Sequence, residues 1–400
     1  MTVARDAAGP VAALRAFASQ VHPVFMLPPL AASLFGAVLA GGTVPALGGA
    51  FDPAAAGIHA AAMFFAVYTA HVKDGYVDFY GRGEDDDHPM SRRGCLLGLG
   101  GAAVGFAAAL VGVTLVGGPV AAAVTLPTWF VGYFHAPQLD THPVGATMGY
   151  PAGIALCILG GYTTQTGGLT AAPVAFAGVF LAVLTGVKVI DDATDYEYDR
   201  SIGKQTVAVV LGRARARTFA YGLMALGLFG VIAFTVDGLF PPASPVGVLA
   251  FGVVAAVAYD RDPKTATMLL VRGAYLLLAG LVVAVFFRPL AGLSLPDITV
   301  LGGYTYLATE VLFGTLAFAL LIRAGGGAVR RALATVAALY PVAYLWDWYT
   351  LEVGVFSIPM RTGIELLGIP LEEHLFMLVV PAFVLGIHET LHGVDRTVTD

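Results

Sequence analysis

The chain has 400 residues, 58% hydrophobic and only 12% charged, with 50 glycines and a formal net charge of −6. Soluble domains carry about 25% charged residues, and glycine is enriched in membrane helices, so these values place the chain among integral membrane proteins. They exclude a disulfide framework, since Cys95 and Cys157 are the only cysteines and both sit in apolar runs, and they leave no basic domain or arm to bind nucleic acid.

The N-terminus does not read as a cleavable signal, because Pro10 interrupts its apolar stretch and the first long hydrophobic run begins near Phe25. A spanning helix takes about 20 mostly apolar residues. By that ruler twelve segments are expected to be helical spans: 23–42, 54–76, 94–116, 118–136, 147–165, 171–191, 216–236, 244–259, 266–287, 298–322, 332–350 and 371–391. With the N-terminus cytoplasmic, 16 of the 21 Lys and Arg residues, from Arg5 to Arg396, fall on the cytoplasmic side. Arg288 and Arg361 alone fall opposite, and Lys73, Lys188 and Arg272 lie within or at the ends of helices. That bias sets the orientation. The Pro- and Gly-rich stretch after Arg288 marks a boundary between residues 1–290, with nine spans, and 296–400, with three. The fold class expected is an all-α integral membrane protein of two bundles.

Two acidic clusters stand out in the first part. His71, Asp74 and Asp78, at the end of the second span, are spaced i, i+3, i+7 and share a helix face. Asp192, Asp195 and Asp199, at the end of the sixth span, repeat that spacing, Asp191 shares a face with Asp195, and Lys188 stands one turn before. Carboxylates at bilayer depth cost about 2.5–3.5 kcal/mol each, so two sets on one side need a reason. A hard divalent cation supplies one, since Mg²⁺ takes oxygen ligands and bridges carboxylates to phosphates. On this reading His71, Asp74, Asp78, Asp191, Asp195 and Asp199 hold metal, while Lys188, Arg200 and Lys204 neutralise a diphosphate. His71 reads equally as a polar side chain satisfied by Asp74. The run Glu84–Asp87 reads as solvated loop charge.

The stretch DDATDYEYDRSIGKQTVAVVLG resembles the second aspartate-rich motif of the UbiA superfamily of membrane prenyltransferases, including Gly203-Lys204, Thr206 and Leu211-Gly212. AHVKDGYVD resembles its first motif in part: Asp74 and Asp78 match, whereas Ala70 replaces Asn and His71 the first Asp. The loop YFHAPQLDTHP resembles a Tyr-x-x-Pro-Pro-x-x-Leu-Lys loop, with Asp140 and Thr141 in place of basic residues. The resemblance spans about 15–290. It implies a nine-helix bundle in which Mg²⁺ binds an allylic diphosphate between the motifs, an allylic cation forms, and an acceptor attacks it.

In the last third, Glu310 and Asp347 interrupt apolar helices, and Glu372 and Glu373 follow Pro370 at a helix start, where acids also suit the helix dipole. A carboxylic acid in an apolar pocket can stay protonated and donate to a polyene. Tyr340, Tyr344, Trp346, Trp348 and Tyr349 offer π faces to a carbocation, or anchor the helix at the membrane boundary. The Pro370-Leu-Glu372-Glu373-x-x-Phe376 stretch, with Trp346-Asp347 and the Tyr306-Leu-x-x-Glu310 element upstream, resembles the membrane lycopene cyclase domain of heterodimeric or fused type. That resemblance makes Glu310, Asp347, Glu372 and Glu373 the expected catalytic acids. It implies a second half, from another subunit or a second copy.

Together the resemblances imply a bifunctional carotenoid enzyme: prenyl transfer to a lycopene-type acceptor, with cyclisation of the polyene end. Two alternatives stand beside it. One is a terpene cyclase or prenyltransferase acting on a non-carotenoid lipid or quinone; the other is a non-catalytic carotenoid-binding subunit of a cyclase complex. A transporter fits worse, because the acids lie on one side rather than at the midplane. Gly98–Gly105 reads as small-residue helix packing rather than a dinucleotide fingerprint.

Overall fold

The computed structural model describes residues 2–43, 51–290 and 297–392. Arg396 and the 291–296 part of the boundary segment lie outside them. The order of helices is α1 (Pro10–Ala18), α2 (Pro23–Thr43), α3 (Pro53–Val77), α4 (Arg92–Phe134), α5 (Pro143–Thr166), α6 (Ala171–Asp192), α7 (Tyr196–Ser201), α8 (Val207–Leu211), α9 (Arg213–Val236), α10 (Pro245–Tyr259), α11 (Pro263–Phe286), α12 (Thr305–Ala324), α13 (Gly326–Glu352) and α14 (Leu371–His392). A two-stranded hairpin, β1 (Glu365–Leu366) and β2 (Ile369–Pro370), precedes α14. The fold is all-α, and among the described residues nine helices are long and apolar enough to cross a bilayer. The chain is a multi-pass integral membrane protein. It divides into two compact units, Met1–Ala291 and Gly292–Asp400.

Each expected span has a helical counterpart. The segments 94–116 and 118–136 are the two arms of α4, which breaks at Gly118 (φ 79°, ψ −176°). Only glycine takes that conformation without strain, and Pro119 then starts the second arm in the first-turn position that proline tolerates. The segment 244–259 is the 15-residue α10, and α13, with Arg330, Arg331, Asp347 and Glu352, falls outside the nine apolar helices. Sequence periodicity did not anticipate the surface helix α1, the π-helical turn Asp78–Arg82 that prolongs α3, or the short α7 and α8.

In lipid, burial of apolar groups drives helix association weakly, so close packing and internal hydrogen bonds carry it. In the first unit α5 and α6 are the most enclosed helices. Glycines let α2 lie against α5: a Cβ on Gly36 would strike the Ile158 carbonyl, and one on Gly161 the Ser33 carbonyl. Beside this crossing Ser33 Oγ and His59 Nδ1 are 2.7 Å apart. Phe176 of α6 stacks on Phe240 at 3.7 Å and meets Phe35 edge-on at 5.3 Å. Thr147 ties three elements, donating to Asp192 Oδ2 at 2.7 Å and accepting from the Val207 amide at 3.0 Å.

In the second unit α12 and α13 both pack on α14. The β1–β2 turn is Leu367-Gly368, both at positive φ (51° and 81°), the pattern of a two-residue primed hairpin turn. It delivers Pro370 and fixes where the first turn of α14 begins.

Candidate active site

A cavity of about 840 Å³ opens within the first unit between α2, α3, α4, α5, α6 and α11. One end is polar. There α3 contributes His71, Asp74 and Asp78, and α6 contributes Lys188 and Asp191. The rest is mainly apolar, including Met63, Cys157 and Phe180 in the middle of their helices. Two tyrosines, Tyr150 and Tyr275, also face it.

The α3 wall follows the expected spacing, since α-helical geometry continues to Val77 and places three side chains one turn apart. His71 Nδ1 is 3.1 Å from the Gln20 carbonyl. A carbonyl only accepts, so Nδ1 carries the proton and Nε2 keeps its lone pair. That is the arrangement of a metal-binding histidine held by a backbone carbonyl. Asp78 lies 3.4 Å from Arg82, whose guanidinium also reaches Asp140 (2.8 Å) and Glu84 (3.6 Å).

The α6 wall departs from the expected spacing. Lys188 Nζ binds Asp191 Oδ2 at 2.8 Å and Asp192 Oδ1 at 2.7 Å. Asp192 is 3% exposed and is fully engaged by Lys188 and Thr147. The helix ends there, a turn follows, and α7 starts at Tyr196, so the i, i+3, i+7 register of a continuous helix is lost after Asp192. Asp195 and Arg200 are exposed. Asp199 is buried, 3.7 Å from Lys204. Burial pushes the Asp199 carboxyl above its ordinary range, and Lys204 pulls it back. None of Asp195, Asp199, Arg200 and Lys204 lines the cavity. The structure therefore joins His71, Asp74, Asp78, Lys188 and Asp191, and leaves those four aside.

Among the described residues no three His, Cys, Asp or Glu side chains converge as a ready-made metal shell. The donor set still suits Mg²⁺, which keeps several waters and commonly takes one or two carboxylates plus substrate phosphate oxygens. Of the run Glu84–Asp87, expected to be solvated, Asp85, Asp86 and Asp87 are exposed, with Asp85 and Asp87 at the cavity rim, whereas Glu84 departs from that reading: its side chain is only 17% exposed, drawn to the Arg82 guanidinium 3.6 Å away.

In the second unit Glu310 (7% exposed), Glu372 (1%) and Glu373 (9%) are buried. Asp347 and Glu373 are within hydrogen-bonding reach of each other, and Glu310 and Glu372 lie close enough to act on Glu373 electrostatically. Two carboxyls bond only when one carries a proton. Glu372 Oε1 accepts the Thr362 amide at 2.6 Å. Tyr340 Oη meets His374 Nδ1 at 2.6 Å, and His374 Nε2 meets the Leu366 carbonyl at 2.7 Å. The carbonyl fixes the proton on Nε2, so Tyr340 donates to Nδ1. A groove of about 370 Å³ between α13 and α14 is apolar apart from Trp346 and Asp347. Tyr344 is engaged by the Leu367 carbonyl at 2.8 Å, while Trp346, Trp348 and Tyr349 are exposed.

No family model and no curated protein matches the sequence. Solved structures do match the fold. One, from work on digeranylgeranylglyceryl phosphate synthase in membranes, aligns with a TM-score of 0.57 at 12% identity, over 69% of this chain and 99% of that one. Another, the apo form of a UbiA homologue from Aeropyrum pernix K1, aligns at 0.55 and 15% identity, over 66% of this chain and 98% of that one. The chain has the fold of UbiA-type membrane prenyltransferases.

Proposed function

We propose that residues 1–290 form a Mg²⁺-dependent membrane prenyltransferase and residues 296–400 a lycopene cyclase-type unit, acting on a carotenoid end. The observation that carries the first part is the meeting of Asp74 and Asp78 with Asp191 and Lys188 at the polar end of one largely apolar cavity. The shape suits an amphiphile with an anionic head and a prenyl tail. Mg²⁺ would be held by Asp74, Asp78 and Asp191, with His71 Nε2 as a fourth donor, and would neutralise diphosphate charge. Lys188 adds a cation at the same end. Heterolysis of the allylic C–O bond leaves its electron pair on the diphosphate. The acceptor alkene attacks the allylic carbon, and the resulting cation loses a proton. Lining by Phe25, Phe180 and Tyr275 keeps water from that cation and offers it π density.

For the second unit, support comes from Asp347 at the apolar α13–α14 groove with Glu373 behind it. A protonated carboxyl there can add a proton to an alkene end and receive one back after ring closure. The resemblance implies half a cyclase, so a partner subunit or a second copy completes it. The charge bias of the loops supports a cytoplasmic N-terminus and a cytoplasmic polar end.

Membranes containing the chain and a complementary cyclase half are incubated with lycopene, Mg²⁺ and dimethylallyl diphosphate, and pigments are separated by mass. A C5-extended product that depends on Mg²⁺ is expected. Unchanged lycopene overturns the carotenoid reading, and transfer to a quinone instead establishes the alternative acceptor.

A further inference from the structure

The groove between α13 and α14 is lined by Asp347 and by apolar and aromatic side chains, but Tyr340, Tyr344 and His374 are not among them. They meet one another beside it instead. His374 is 4% exposed, and its ring lies near-parallel to both tyrosines, with centroids 6.1 Å from Tyr340 and 6.0 Å from Tyr344. Tyr340 donates to His374 Nδ1 at 2.6 Å, and His374 Nε2–H donates to the Leu366 carbonyl at 2.7 Å. Tyr344 donates to the next carbonyl, that of Leu367, at 2.8 Å.

These bonds join three pieces of chain. Tyr340 and Tyr344 stand one turn apart on α13, and Asp347 continues that face. Leu366 ends β1, Leu367 begins the turn, and Gly368 packs on α13, where a Cβ would stand 3.8 Å from Trp348 Cδ1. The hairpin leads directly into α14, whose Leu371 amide donates to the Ile364 carbonyl at 2.9 Å. Glu373 and His374 are consecutive at the start of α14, so they project about 100° apart around its axis. The helix therefore meets α13 at two points offset around that axis: His374 against the two tyrosines, and Glu373 against Asp347. Two such contacts oppose rotation of α14, and the bonds to the hairpin oppose sliding.

We infer that Tyr340 and His374 are positioning residues for ring closure: they hold the start of α14 in the register that sets Glu373 against Asp347. The inference rests on the cyclase reading of this unit. Neither residue lines the groove, so neither touches a substrate there. Nor does His374 relay a proton, because its Nε2–H ends on a main-chain carbonyl. Their effect is on the acid pair. A displacement of about 1 Å at a reacting group can cost about 10²-fold in rate, so a bond made outside the groove governs chemistry inside it.

The test uses the full chain in nanodiscs and reads the C=O stretch of protonated carboxyl groups by infrared spectroscopy. The band that Asp347→Asn and Glu373→Gln both alter belongs to the pair. Tyr340→Phe removes one hydroxyl and keeps the ring, whereas His374→Ala removes the link to the hairpin; both are expected to shift and broaden that band. His374→Gln keeps an N–H for the Leu366 carbonyl and is expected to return the band part of the way. Tyr340→Phe also serves if His374→Ala misfolds. In the pigment assay with a complementary cyclase half, Tyr340→Phe is expected to lower kcat for ring closure about tenfold or more and to leave KM within about twofold. An unmoved band or an unchanged kcat in Tyr340→Phe overturns the positioning assignment alone. A wild-type chain that shows no pair band, or closes no ring, overturns the cyclase reading and this assignment with it.

Discussion

Arg82 donates from Nη2 to Asp140 Oδ2 at 2.8 Å, joining the turn after α3 to the loop after α4. Where the resembling family carries a basic residue in that loop, this chain has an acid, and Arg82 meets it from the opposite side of the pair. The same guanidinium lies 3.4 Å from Asp78, so the contact also sets the electrostatics of the cavity's α3 wall.

Removal of either partner leaves the other poorly solvated, because the side chains are only 24% and 9% exposed. Arg82→Ala and Asp140→Asn are each expected to destabilise the fold, and the double variant by less than their sum. A double-mutant cycle on unfolding midpoints in detergent should give a coupling of about 1–3 kcal/mol. Strict additivity would refute the pair as a stabilising contact.

Asp191 and Asp195 were equivalent candidates in sequence, yet the cavity holds only the first. Asp191→Asn is expected to lower prenyl transfer by about 100-fold or more and to raise the Mg²⁺ concentration required. Asp195→Asn should remain within about threefold of wild type, as an exposed carboxylate outside the cavity. Mg²⁺ titrations of both variants, with product measured by mass, decide the matter.

The α2–α5 crossing depends on missing side chains. Gly161→Ala would drive a methyl into the Ser33 carbonyl and separate the two helices beside the Ser33–His59 contact. Overpacking of this kind costs about 1–3 kcal/mol. Thermal unfolding should show the loss, whereas Gly178→Ala, with open space around the added methyl, should leave the midpoint in place.

For the second unit, Asp347→Asn and Glu373→Gln each remove a proton that the pair can share. On the proposed function, either is expected to abolish ring closure while C5 addition by the first unit continues, so that an acyclic extended pigment accumulates. Ring closure at the wild-type rate in Asp347→Asn would exclude the α13–α14 groove as the site of protonation.

Asp199 gives a pH signature outside the spans. Its folded carboxyl is raised by burial, so its contribution to stability is fully present below the ordinary carboxylate value of about 3.9 and is lost as pH rises through the raised value. In chelator, the unfolding midpoint should fall over that interval, and Asp199→Asn should remove this part of the slope. An unaltered slope would count against burial as the cause.

Twelve apolar runs gave the helices because membrane spans declare themselves by length and composition. The α3 cluster was legible for the same kind of reason, since its helix continues through Val77 and spacing converts directly to a shared face. The α6 cluster was not, because helix spacing means nothing beyond the last helical residue, and the stop at Asp192 carries no proline or glycine to announce it. Asp192 reads in sequence as one more acid; its engagement by Lys188 and Thr147 depends on a residue 45 positions away.

The grading of the large cavity, charged at one end and greasy along the remainder, imposes a direction on whatever enters. A molecule with an ionic head can lie in it only one way round, and on the proposed function this would confine bond making to the carbon next to the head. The tail must then fit the space reaching past Met63 and Phe180. On that function regiochemistry and chain length would be governed by opposite ends of one compartment, and a substitution that deepens the far end should widen the range of donors accepted without altering where the new bond is placed.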